Sequence, residues 1–113
     1  MTDIATYLKE VKQTNAEIAE FDPEVWDTFL PMVKSISKEG AIPAKYKEIM
    51  MIALAVADHC PFCIAMHTKM AIGAGATRQE IMEGALTAIP MGGGPAMAYM
   101  RYVIDACNEF EAP

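Results

Sequence analysis

The chain has 113 residues, enough for one domain with a modest core, and 53% of them are hydrophobic. We expect a single domain over residues 1–113 and, because so small a globule cannot bury all that apolar surface, a homo-oligomer. The net charge of −6 without a basic cluster argues against nucleic acid or a membrane surface as a partner. The N-terminus lacks a signal-peptide pattern, and the longest apolar run, 49–57, is too short to span a bilayer, which predicts a cytoplasmic protein.

The first half of the chain predicts three helices. The first covers residues 4–19, where apolar side chains recur at helical spacing. The second begins at Asp22-Pro23, an N-cap followed by proline at the first helical position, and runs towards residue 40. Pro31 favours a kink within it. The third begins at Pro43 and ends near Asp58.

Three more helices are predicted in the second half. The fourth begins at Cys60-Pro61 and ends at the glycine signal of residues 73–75. Thr77 and Glu80 have the spacing of a capping box, which opens the fifth. A loop at residues 92–95 precedes the sixth, at about 96–110. Because no segment alternates with the period of a strand, the fold class is all-α with six helices.

Cys60, Cys63 and His67 are the residues most typical of chemistry. They lie within a stripe about 60° wide on the fourth helix, and Cys63 and His67 are neighbours at i, i+4 spacing. As the N-cap, Cys60 faces the positive end of the helix, which favours its thiolate, while His67 can act as a base on Cys63. An odd total of three cysteines argues against a disulfide framework and for redox or metal chemistry.

Glu48 is the expected partner of His67. If the third and fourth helices fold back on each other near His59, Glu48 and His67 are offset by only about 4.5 Å along the helix axes, whereas Cys63 lies about 10 Å from Glu48. Glu48 should therefore contact the imidazole rather than the sulfur. Cys63, His67 and Glu48 would form a nucleophile, base and orienting group in that order.

Glu48, residues 49–59 and then Cys60-x-x-Cys63-x-x-x-His67 resemble the core of the AhpD-like / carboxymuconolactone decarboxylase family, and the similarity covers about residues 42–88. The resemblance implies a six-helix AhpD-like fold with the CxxC at the N-terminus of a central helix. It also implies a homotrimer or homohexamer.

The activity that the resemblance implies is antioxidant: a thiol-dependent disulfide reductase or alkylhydroperoxidase. Its catalytic residues would be Cys60, Cys63, His67 and Glu48, with the last two relaying protons. Its partners would be a protein or small-molecule dithiol reductant and a disulfide or hydroperoxide substrate. We expect Cys63 to attack a peroxide-like substrate and Cys60 to exchange with a protein partner.

Pro61 and Phe62 depart from family members that carry a histidine between the cysteines. This apolar insert is similar to a thioredoxin-type site and favours disulfide exchange over strong peroxidase activity. Lactone decarboxylation is the less favoured activity, because members with that reaction typically lack the full cysteine pair.

A zinc-binding structural or assembly module is the alternative function. Two thiolates, an imidazole and a carboxylate, from Cys60, Cys63, His67 and Glu48, are an acceptable tetrahedral set. No flavin, haem or nucleotide fingerprint is present in the sequence, so no cofactor is expected.

Two further residues have predicted minor roles. His59 is expected to be a loop or capping residue that could raise the thiolate fraction of Cys60. Cys107 is expected to be a buried packing residue.

Overall fold

The computed structural model describes residues 3–113 and contains six α-helices in that part of the chain. They are α1 (Ile4–Phe21), α2 (Pro23–Ser37), α3 (Ala44–Ala57), α4 (Pro61–Gly73), α5 (Arg78–Leu86) and α6 (Ile89–Glu109). Since the described residues include no strand, the predicted all-α, six-helix fold is confirmed.

Side-chain caps begin most of these helices where the sequence predicts them. Asp22 accepts a hydrogen bond from the Val25 amide at the start of α2, and both hydrogen bonds of the capping box between Thr77 and Glu80 are present at α5. Each cap satisfies amide groups that have no partner inside the first turn. The bounds of the helices therefore follow largely from local sequence.

The start of α6 differs from its prediction. The helix begins at Ile89, and within residues 92–95 only Gly93 leaves the helical region, at φ 66° and ψ −150°. Glycine adopts a positive φ without steric penalty, so the chain turns at one residue between two helical pieces instead of forming a loop. The amide of Gly92 donates to the Ala88 carbonyl at 2.8 Å, which closes the first piece.

Helix α4 occupies the centre of the domain and packs against α1, α3 and α6. Its most buried side chains are Ile64, Ala65, Thr68 and Ala71. By contrast, α2 contains no buried residue and contacts mainly α1. Between residues 3 and 113, no helix combines the length and apolarity that a membrane crossing requires.

Candidate functional site

Cys60 and Cys63 form a disulfide at the start of α4, with their Cα atoms 5.3 Å apart. Pro61 occupies the first helical position, and Cys60 is the N-cap. The amide of Cys63 donates to Sγ of Cys60 at 3.2 Å. The two residues that form the disulfide therefore also form the capping hydrogen bond of α4. Because this end of the helix presents unpaired amides and the positive end of the helix dipole, it stabilises negative charge on the Cys60 sulfur when the disulfide opens.

Glu48 reaches His67 across the packed pair of helices α3 and α4. Its Oε2 lies 2.7 Å from Nδ1 of His67, and the Glu48 residue is 4% exposed. An ionised carboxylate only accepts hydrogen bonds, so Nδ1 carries the hydrogen of this bond and Nε2 is left to receive a proton. The contact requires α4 to fold back along α3, which is the arrangement that the sequence argument assumed.

A cavity of about 520 Å³ lies beside this pair. Both Cys63 and His67 contribute to its walls, which therefore place a sulfur and a ring nitrogen in one space. The lining residues come from α3, the following turn and α4: Met51, Leu54, Ala55, Ala57, Asp58, Cys63 and His67. The walls are mostly apolar and the cavity opens to solvent, so a substrate with apolar groups can reach the sulfur from outside.

Met51, Leu54 and Asp58 are site residues that sequence reasoning did not identify. They line the cavity because α3 turns one side towards α4 beside the disulfide. The only sequence signal is their helical spacing, since 51, 54 and 58 recur every three or four residues along one side of α3. Asp58 adds the one carboxylate of this lining and ends the helix as its C-cap.

The four residues of the predicted zinc set are paired two by two. The sulfurs of Cys60 and Cys63 form a covalent disulfide, and Glu48 is hydrogen-bonded to His67. Within residues 3–113, no three histidine, cysteine, aspartate or glutamate side chains are grouped as metal ligands would be. The arrangement is suited to thiol chemistry with a proton relay beside it.

The model of the "Carboxymuconolactone decarboxylase family" matches residues 23–106, a range that includes the disulfide, Glu48 and His67. The chain belongs to the carboxymuconolactone decarboxylase family. This confirms the resemblance that the cysteine, histidine and glutamate spacing indicated.

Other members of the carboxymuconolactone decarboxylase family share both sequence and fold with this chain. A crystal structure of a family protein from Legionella pneumophila, in its apo form, superposes with a TM-score of 0.90 at 34% identity, covering 95% of this chain and 96% of that one. A putative carboxymuconolactone decarboxylase from Burkholderia xenovorans superposes with a TM-score of 0.79 at 30% identity, covering 87% and 77%. Both likenesses therefore cover most of this chain, 95% in the first case and 87% in the second.

Two proteins known by sequence are also similar over nearly their full lengths. One, from Cupriavidus necator, is 34% identical over 110 residues, which are 95% of this chain and 97% of that protein. The other is named for the cox locus of Paracoccus denitrificans and is 29% identical over 111 residues, 98% of each chain.

Cys107 lies outside the site of this family member. It is fully buried in α6, and it is the free cysteine of the described residues. Burial raises the pKa of its thiol, and the nearby Arg78 opposes this shift. A thiol that is buried and held neutral is unreactive, so Cys107 is a poor candidate for redox chemistry. The catalytic roles of Cys60, Cys63, His67 and Glu48 stay predictions.

Proposed function

We propose that this protein is a thiol-dependent oxidoreductase that reduces disulfides or hydroperoxides through the Cys60–Cys63 pair. The observation that carries the proposal is the position of Cys63. Its sulfur is half of the disulfide, it lines the cavity, and it shares that cavity with His67, which Glu48 orients. A nucleophile and a base in one space, with an orienting group behind the base, are the parts that thiol catalysis needs.

In the proposed cycle, Nε2 of His67 takes the proton of the Cys63 thiol. The thiolate attacks the hydroperoxide, the O–O bond breaks, and an alcohol leaves after the proton returns to its oxygen, with Cys63 left as a sulfenic acid. Cys60 then attacks the Cys63 sulfur, and water leaves as the S–S bond forms. With a disulfide substrate, the Cys63 thiolate attacks one sulfur, forms a mixed disulfide and releases the first thiol of the substrate. Cys60 then attacks the Cys63 sulfur, which forms the Cys60–Cys63 bond and releases the second thiol.

The oxidised pair must receive two electrons to begin again. We propose that a protein or small-molecule dithiol supplies them by thiol–disulfide exchange, which releases the reductant as a disulfide. The cytoplasm, where such dithiols keep thiols reduced, is the proposed location. A homotrimer or homohexamer is the proposed assembly, supported by the unburied apolar side chains of α2.

Replacement of each cysteine tests the function. We expect Cys60→Ser and Cys63→Ser to abolish turnover in a dithiol-driven assay, because both sulfurs are needed to close the cycle. Cys107→Ala is the matched control and should retain activity, since Cys107 lies outside the site. Substantial turnover by either serine variant would contradict the proposal.

A comparison of substrates with one reductant would define the activity further. Hydrogen peroxide, an organic hydroperoxide and a protein disulfide should be reduced at different rates, and the Pro61-Phe62 insert favours the disulfide.

Metal analysis of the protein from metal-free buffer, together with a thiol titration before and after oxidation, tests the zinc-binding alternative. Stoichiometric zinc with no reversible loss of two thiols would favour the metal-binding alternative instead.

A further inference from the structure

Five aromatic rings form a continuous chain around the turn that contains Cys60. We call this series of rings the aromatic arc. It begins at His59, the residue before Cys60, and ends at Phe62, two residues after it. The ring centroids are 4.7 Å apart for the stacked first pair, 5.3 and 5.7 Å for the next two pairs and 5.0 Å for the last. In order the rings are His59, Tyr99, Tyr102, Tyr7 and Phe62.

The arc joins three separate parts of the fold. Tyr7 belongs to α1, Tyr99 and Tyr102 belong to α6, and the two ends lie on either side of Cys60. Neighbouring rings at these distances attract each other in stacked and edge-to-face geometries. A side-chain hydrogen bond with Tyr7 raises the pKa of Tyr102 above its ordinary value. The Cys60 turn is therefore held from both sides by helices that lie elsewhere in the sequence.

His59 has an unusual backbone conformation at the end of α3. Its φ is 56°, in the left-handed region that residues with a β-carbon rarely adopt. This conformation ends the helix: the Cys60 amide donates to the Ala55 carbonyl at 3.0 Å, and the His59 ring, carried by this turn, stacks on Tyr99. The next residue, Cys60, returns to an extended conformation and caps α4. The direction in which Cys60 leaves the turn thus depends on His59.

The two cysteines have different surroundings. Cys63 lines the cavity, whose walls come from α3, the turn after it and α4. Cys60 lies between the two ends of the arc, which comes from α1, α6 and the same turn. In the cycle proposed above, Cys63 meets the substrate and Cys60 closes onto it. That second step is fast only if the Cys60 sulfur stays near Cys63 after the S–S bond has been broken.

We propose that the aromatic arc positions Cys60 for this closing step by holding its sulfur beside Cys63 in the dithiol form as well as the disulfide form. The inference rests on the proposed function for its role in turnover. The positioning itself is a property of the cysteine pair alone. A fixed neighbour has a high effective concentration, and this raises both the rate and the equilibrium constant of disulfide formation.

Equilibration with reduced and oxidised glutathione measures that effective concentration without any assumption about the substrate. His59→Asn removes the ring and keeps a residue that tolerates a positive φ. We expect it to lower the equilibrium constant for disulfide formation about tenfold, equivalent to about 30 mV for a two-electron couple. His59→Phe keeps a ring and should stay within about twofold of the parent.

Tyr99→Ala tests the other side of the same contact and should give a loss similar to that of His59→Asn. Tyr46→Ala, which removes an exposed ring outside the arc, is the matched control and should leave the equilibrium unchanged. Because His59 is exposed, its variants test the arc even if Tyr99→Ala fails to fold. An unchanged equilibrium in His59→Asn would overturn the proposal, as would an equal loss in His59→Phe, which would point to the imidazole instead of the ring.

A second measurement follows the closing step in turnover. With an excess of an organic hydroperoxide, a first molecule oxidises Cys63 to sulfenic acid and a second can oxidise it to sulfinic acid before Cys60 closes. Slower closing should therefore leave more Cys63 as sulfinic acid in His59→Asn than in the parent, as read by intact mass. Equal sulfinic acid in both proteins would contradict a role in closing. If the parent itself does not react with hydroperoxide, the peroxidase branch of the proposed function fails, and the glutathione equilibrium still decides on the arc.

Discussion

Glu48 is a buried carboxylate, and a buried charge is stable only when it is paired and hydrogen-bonded. His67 supplies that partner at 2.7 Å. The side chain of His67 is 13% exposed, because its ring borders the cavity while Glu48 stays beneath it. The pair can therefore act as one unit, in which the carboxylate sets the tautomer and the ring exchanges protons with the site.

Replacement of each member tests whether the pair is one relay. We expect Glu48→Gln and His67→Gln each to lower kcat/KM about 100-fold, within the range for general acid–base catalysis. The double variant should lose little more than either single one, because a broken relay cannot be broken twice. Melting temperatures of all three serve as controls for folding. Losses that multiply in the double variant would show two independent roles.

Cys107, in contrast to the cysteine pair, is predicted to be unreactive in the folded protein. Because burial raises the pKa of its thiol, the folded protein should present no reactive thiol when oxidised, two when reduced, and a third only after unfolding. The unfolded chain loses the Cys107 proton at a lower pH than the folded chain does. Stability should therefore fall as pH rises through the alkaline range, and Cys107→Ala should remove that part of the fall.

Thiol titration with an aromatic disulfide reagent, in buffer and in denaturant, counts these groups directly. Three fast-reacting thiols in the folded, reduced protein would refute the assignment of Cys107 as inert. Urea unfolding at several alkaline pH values, on the parent and on Cys107→Ala, measures the pH dependence.

At the scale of helices, Gly84 brings α5 close to α3. A β-carbon at Gly84 would overlap Cγ2 of Ile49, a buried side chain of α3 whose branch point lies close to the backbone. The methyl cannot swing away as the end of a long side chain could. This packing positions α3, and with it Glu48, against the rest of the fold.

Gly84→Ala should therefore destabilise the protein although alanine is the better helix former. Overpacking costs about 1–3 kcal/mol, whereas the gain in helix propensity is at most about 1 kcal/mol. Gly73→Ala is the matched control, because no atom lies within 4 Å of its added β-carbon and it should be neutral or stabilising. Urea midpoints of the two variants are compared with the parent, and a stabilised Gly84→Ala would show that the helices adjust freely.

For the whole molecule, the apolar surface of α2 has no covering in one chain. Phe29 is 50% exposed and Ile36 is 61% exposed, and Val25 and Met32 lie on the same side of the helix. Removing such a face from water contributes about 25 cal/mol per Å². On a 12.3 kDa chain we expect copies to associate through a face of this kind, as proposed above.

Sedimentation should accordingly find a species several times heavier than the chain, with three or six copies. Phe29→Asp should shift the distribution towards the monomer, because it places a charge in the associated face. Lys34→Ser, on the opposite side of α2, lowers the charge by the same single unit and should leave the assembly intact. A parent protein that sediments as a monomer at micromolar concentration would contradict the proposal.

Much of the site could be predicted because its parts lie at helical spacing. Cys60, Cys63 and His67 share one side of α4 whatever surrounds that helix, since its geometry is local. The caps at Asp22 and Thr77 are local in the same sense, and both are present. The prediction for α6 was wrong at its start, because residues 89–92 form a short helical piece and only Gly93 leaves the helical region.

The sequence by itself determined the all-helical fold and the cysteine pair at a helix start, because these depend on periodicity and capping. It made Glu48 the partner of His67 only on the assumption that the third and fourth helices form a hairpin, and the tertiary structure supplied that hairpin. Only the tertiary structure decided that Cys63 lines a cavity and that His59 and Phe62, on either side of Cys60, contact the rings of Tyr99 and Tyr7. Those contacts join helices at opposite ends of the chain, and no local rule relates residues that meet only when the core is packed.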